Sequence, residues 1–195
     1  MSGRAPVRKP PEQKFSVGRA DEFKTLLKDS HSDVRQLIGN PESAVYSTEA
    51  GAKVAQAYMS AWAGYMTGKE GAPDAETLLT MQNTILTASA PGKASAFFDV
   101  YKDDVTRIGT RLMSDTPLPK DIREAALPLY ESIRNIQRQA ANEKNGLAFI
   151  QDPKNADTYE DNVFALLDLL GLSADTATMN KRIETTGKLI DEART

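Results

Sequence analysis

The 195-residue chain has no cysteine, one histidine (His31) and one tryptophan (Trp62). These shortages exclude whole classes of chemistry. Without cysteine there is no disulfide framework, thiol nucleophile or cysteine-ligated zinc centre. With one histidine a His-Glu-x-x-His metal motif cannot form, and a Ser-His-Asp triad would have to be built on His31. No Asn-x-Ser/Thr acceptor occurs. No apolar run approaches the roughly 18–20 residues that span a bilayer; the longest, Val163–Leu172, is interrupted by Asp168. Residues 1–19 lack the apolar stretch of a signal peptide. The expectation is a protein with no membrane partner, soluble inside a cell, or held in a virion if it is a coat protein.

The search for catalytic patterns returns little. Gly-x-Gly-x-x-Gly and Gly-x4-Gly-Lys-Ser/Thr are missing, and Gly92-Lys93 and Gly187-Lys188 lack the rest of such a loop. The acidic stretch Gln151–Asp161 lacks the alternating oxygen ligands and central glycine of a calcium loop. Asp99 and Asp103 are spaced to share a helix face, with Asp104 beside them. Such a pair can hold a divalent cation or work as acid and base. Lys102 and Arg107 stand next to it, which favours a solvated, partly neutralised face. No residue is therefore assigned as catalytic, metal-ligating or cofactor-binding, and a non-enzymatic chain is expected.

Charge is present in quantity and unevenly placed. The chain has 24 Lys plus Arg and 27 Asp plus Glu, a net of −3. Residues 1–19 hold Arg4, Arg8, Lys9, Lys14 and Arg19 against Glu12, a net of +4, which leaves −7 on residues 20–195. Pro6, Pro10 and Pro11 fall in the same short segment. Proline blocks helix and charge resists burial, so residues 1–19 read as an extended arm without a core of its own. Two roles stay open for it. It is a solubilising tail, or it docks on a neighbouring copy or on phosphates through Arg4, Arg8, Lys9, Lys14, Phe15 and Arg19.

The remainder, residues 20–195, carries helical periodicity. Apolar residues at Phe23, Leu26, Leu27, Val34, Leu37 and Ile38 predict a helix stopped by Gly39-Asn40-Pro41, with His31 at or near a solvated break. A second helix is predicted over Thr48–Thr67, ending at Gly68. It has a bulky stripe (Val54, Tyr58, Trp62, Tyr65, Met66) and a small-residue stripe (Ala57, Ser60, Ala61, Gly64) that would let another helix approach. Pro73, Asp74 and Glu76 open a third, ending near Ser89. One helix is predicted over Lys93–Met113. A loop follows at residues 114–119, where the body could divide. The next helix, Lys120–Lys144, should kink or restart near Leu127 because of Pro128. Leu147–Ala156 reads as irregular. Asp157–Glu160 reads as a capping box opening a helix whose Val163–Leu170 segment should be apolar on most sides, and Ser173 as the cap of a last helix. The fold class is all-α, a bundle of about six or seven helices.

An acidic body argues against broad affinity for nucleic acid, but local basic pairs could still line a groove for an RNA or DNA backbone. Arg107 with Arg111, and Arg134 with Arg138, are each one turn apart. The segment Ala94–Tyr101 (ASAFFDVY) resembles the helical Ala-Phe-Asp-aromatic segment of flexuous filamentous plant-virus coat proteins. That resemblance covers eight residues of 195, without the family's surrounding pattern. It implies an all-helical core and an N-terminal arm docked on the next subunit, and it does not assign the chain to the family. The functional expectation is a structural subunit that self-associates into an oligomer or polymer, with a viral coat or phage virion protein as one form. The alternative is a monomeric helical adaptor with a disordered tail.

Overall fold

A computed structural model describes residues 25–90, 93–114, 116, 118–142 and 146–194. The arm, residues 1–19, lies outside them. The described residues are all-helical, with no strand among them. Helix α1 covers residues 25–39 and gives way at Asn40, whose side-chain carbonyl accepts the Glu42 N–H at 3.0 Å. A 3-10 turn at Ala44–Ser47 follows. Helix α2 (Glu49–Thr67) is capped by the Thr48 hydroxyl on the Gly51 N–H and closed by Gly68 at φ 67°. A Cβ on residue 51 would lie 2.3 Å from the Val45 carbonyl, so glycine there lets the 3-10 turn fold against the start of α2. Helix α3 (Ala75–Ala88) opens at Asp74, whose carboxylate takes both the Thr77 N–H and its hydroxyl.

The predicted helix over residues 93–113 is divided. Helix α4 (Lys93–Val100) and helix α5 (Lys102–Met113) meet at Tyr101, which has φ −104° and ψ 6°. The break belongs to a long-range contact: the Tyr101 hydroxyl donates to Glu160, and its ring packs edge-on to Phe97 and Phe164. Helix α6 (Lys120–Asn142) runs through Pro128 without a restart. Pro128 sits on the exposed side, where the carbonyl it leaves unbonded can meet water. The segment read as irregular is helical. It forms α7 (Gly146–Gln151) and the start of α8 (Pro153–Leu169), which Asp152 caps with Pro153 at the first position. Asp157–Glu160 therefore lies inside α8. Helix α9 (Thr176–Arg194) opens at Asp175, not Ser173; the Asp175 carboxylate accepts the Thr178 N–H at 2.8 Å. Among the described residues there are nine α-helices, close to the expected six or seven; the additional ones come from the division at Tyr101 and the short α7.

The core is an aromatic-rich cluster in which Tyr58, Phe97, Phe98, Tyr101, Tyr130 and Tyr159 are fully buried. Each large apolar side chain so buried contributes about 1.5–3 kcal/mol. Helix α3 lies against α2, α5 and α6, and α6 packs along α8. At Gly109 a Cβ would meet the Leu79 side chain at 2.4 Å, which is what the close approach of α3 and α5 requires. In α8, Val163, Leu166 and Leu167 are buried while Ala165 and Asp168 are exposed. The segment is apolar apart from Asp168, and its Ala165–Asp168 side faces solvent. No helix among the described residues is long and apolar enough to cross a membrane.

Candidate functional site

The four arginines singled out as phosphate contacts have different surroundings. Arg107 donates to the Leu172 carbonyl in the turn after α8, and Arg111 donates to the Thr116 carbonyl at 3.0 Å. Arg134 is 6% exposed. Its guanidinium donates to the side-chain carbonyls of Asn83 and Gln82, the latter at 2.8 Å. Gln82 passes the network on by donating to the Leu27 carbonyl at 2.8 Å and to the Tyr58 hydroxyl at 2.9 Å. Burial lowers the Arg134 pKa from its usual value. Arg138, one turn on, reaches the surface, where it donates to Asn135 at 2.9 Å and stands 3.7 Å from Asp33. Arg134 and Arg138 therefore do not form a solvent-facing pair. Sequence spacing puts them on one helix face but carries no signal for the amides of α3 that draw Arg134 inward. The arm residues Arg4, Arg8, Lys9, Lys14, Phe15 and Arg19 lie outside the described residues.

Between α1 and α6 an open cleft of about 260 Å³ is lined by Asp29, Asp33, Glu131, Arg134 and Arg138. Its charges are mixed, and Asp33 already stands beside Arg138. Asp99 of α4 and the carboxylates of α5 do not act together. Asp99 and Asp103 are exposed, whereas Asp104 is 1% exposed and paired with Arg182 of α9. Among the described residues there is no group of three or more His, Asp or Glu side chains that could hold a metal ion.

His31 is not at a break. It lies inside α1, and its ring stacks on Trp62 with centroids 4.0 Å apart and an 8° tilt. Its Nδ1 is 2.9 Å from the Tyr58 hydroxyl. Burial, then the Arg35 charge, holds its pKa below the usual histidine value. This contact joins α1 to α2.

The outer face of α2 is the most unusual surface described. From Val54 to Thr67 the helix has no charged side chain. Met59 and Met66 are 38% and 51% exposed, and Trp62 between them is half-buried. Ala57, Ser60 and Ala63 are exposed beside them, so part of the small-residue stripe faces solvent, while Gly64 is buried where a Cβ would lie 3.1 Å from the Ala72 side chain. Compared with protein-family models, curated proteins and solved structures, the chain matches none.

Proposed function

We propose that the chain is a non-enzymatic assembly subunit that associates with copies of itself through the outer face of α2, helped by its basic arm. The observation that carries this reading is the uncharged α2 face with Met59 and Met66 exposed. An acidic body repels its own copies, and the repulsion is least where a surface has no charge. Flexible methionines and small side chains supply apolar area and close approach there. The arm, at +4, is attracted to the −7 remainder of a neighbour.

Sedimentation velocity over a range of concentrations tests the reading. The wild-type chain is expected to gain mass with concentration. Met59→Glu with Met66→Glu should hold it monomeric, and removal of residues 1–19 should weaken association. A wild-type chain that stays monomeric throughout would overturn the proposal and leave the adaptor reading. A nucleic-acid groove lined by Arg134 is not part of it, because that side chain is only 6% exposed and its two terminal nitrogens donate to Asn83 and Gln82. If the arm meets phosphates instead, affinity for single-stranded RNA should fall steeply with salt and vanish when residues 1–19 are removed.

A further inference from the structure

Helix α9 is held to the rest of the chain in an unusual way. Of its described side chains only Thr186 is buried; Met179, Leu189 and Ile190 are half-buried and Ile183 is 47% exposed. Met179 and Ile190 pack against the core and α9 lies against α4 and α7, but its buried links are polar. Arg182 pairs with Asp104 of α5, a carboxylate that is 1% exposed and whose Oδ1 has no hydrogen-bond partner. The Thr186 hydroxyl donates to Glu160 Oε2 of α8 at 2.8 Å, the same oxygen that accepts the Tyr101 hydroxyl. The connection to α8 is short; it turns at Gly171, with φ 70°, where the Leu172 N–H closes the end of α8 on the Leu167 carbonyl.

Docking α9 therefore covers two carboxylates. Asp104 receives a cation in exchange. Glu160 receives only hydroxyls, from Tyr101 and Thr186. The like charges of Asp157 and Asp161 on its own helix act on Glu160, while Arg182 on α9 is committed to Asp104. An ionised Glu160 thus loses hydration when α9 closes over it and gains no counter-ion, whereas the protonated form is closed over without that loss.

We propose that α9 is a hinged helix that leaves and rejoins the body as a unit about the Gly171 turn, with the charge on Glu160 favouring the open state. Burial, and then Asp157 and Asp161, hold the Glu160 pKa above the usual carboxylate value while α9 is docked, against the pull of the two hydroxyl donors. The sign follows from that direction. A group whose docked pKa is raised supports docking fully below its open-state pKa, and the support is lost as pH rises through the docked value. The closed state is accordingly favoured in mild acid and weakened toward neutral pH.

Hydrogen exchange on the full chain, read by mass spectrometry and corrected for intrinsic rates, tests this from about pH 5 to about pH 8. Peptides from α9 are expected to exchange together, with an opening ratio that rises severalfold across this range, while α3 and α8 peptides stay protected. Glu160→Gln keeps a neutral acceptor for both hydroxyls and should flatten the rise. Thr186→Val removes the contact from the α9 side alone and should open α9 at every pH without exposing α8. Protection of α9 equal to that of α8 at both ends of the range would overturn the proposal. So would a pH dependence that survives in Glu160→Gln, or, if that variant does not fold, α9 protection unchanged by Thr186→Val.

Discussion

Helices α8 and α9 are 17 and 19 residues long, adjacent in sequence and separated by one short turn, yet they are attached by different forces. Helix α8 buries Ala156, Tyr159, Glu160, Val163, Leu166 and Leu167, and sits between α6 and α5. Helix α9 buries only Thr186 among its described side chains; Met179 and Ile190 are half-buried against the core, and its buried polar links are the Arg182–Asp104 pair and the Thr186 hydroxyl. Apolar area returned to water has no substitute for what it loses. Hydrogen bonds and ion pairs are largely replaced by water, so each contributes only about 0.5–1.5 kcal/mol net. Two helices of the same chain should therefore open on different scales, α8 with the global transition and α9 ahead of it.

Three substitutions would break or sharpen that contrast. The largest effect belongs to Leu166→Ala, which empties a fully buried site and should cost about 2–5 kcal/mol, read as a lowered urea midpoint of the whole helical signal. Arg182→Ala comes next. It strips the buried Asp104 of its charge partner and should weaken α9 docking by about 1–3 kcal/mol, seen as faster exchange of α9 amides with little change in the urea midpoint. The smallest belongs to Ile183→Ser on the exposed side of α9, which should move the urea midpoint by less than about 0.5 kcal/mol equivalent. An Ile183→Ser cost matching that of Leu166→Ala would show that α9 is seated as α8 is, and would remove the basis for separate opening.

Much of the fold is legible in the sequence where the signal is local. Gly39-Asn40-Pro41 ends α1, Thr48 and Gly68 bound α2, and Asp74 opens α3, because caps and breakers act within a few residues. The failures have non-local causes or lack enough length for a period. The break at Tyr101 answers to Glu160, 59 residues away. The six residues of α7 are too few to show a stripe, and Asp152-Pro153 is a better start than Asp157 once α7 delivers the chain there. At the candidate sites, a run of uncharged residues from 54 to 67 is plain in the sequence, but periodicity sets Met66 in one stripe with Tyr58, whereas Tyr58 is buried and Met66 exposed. Arg134 reads as a surface cation until Gln82 and Asn83 arrive from α3. His31 reads as solvated until α2 brings Trp62 over its ring.

That last contact has an optical consequence. The only tryptophan and the only histidine lie ring to ring. All indole emission therefore comes from the seam between α1 and α2, and a protonated imidazole stacked on an indole quenches it. Because burial and the Arg35 charge hold the His31 pKa below its usual value, emission should climb with pH and level off earlier than for a free imidazole. Unfolding that parts α1 from α2 would erase the climb. A single unlabelled fluorophore thus reports whether the first described helix is seated.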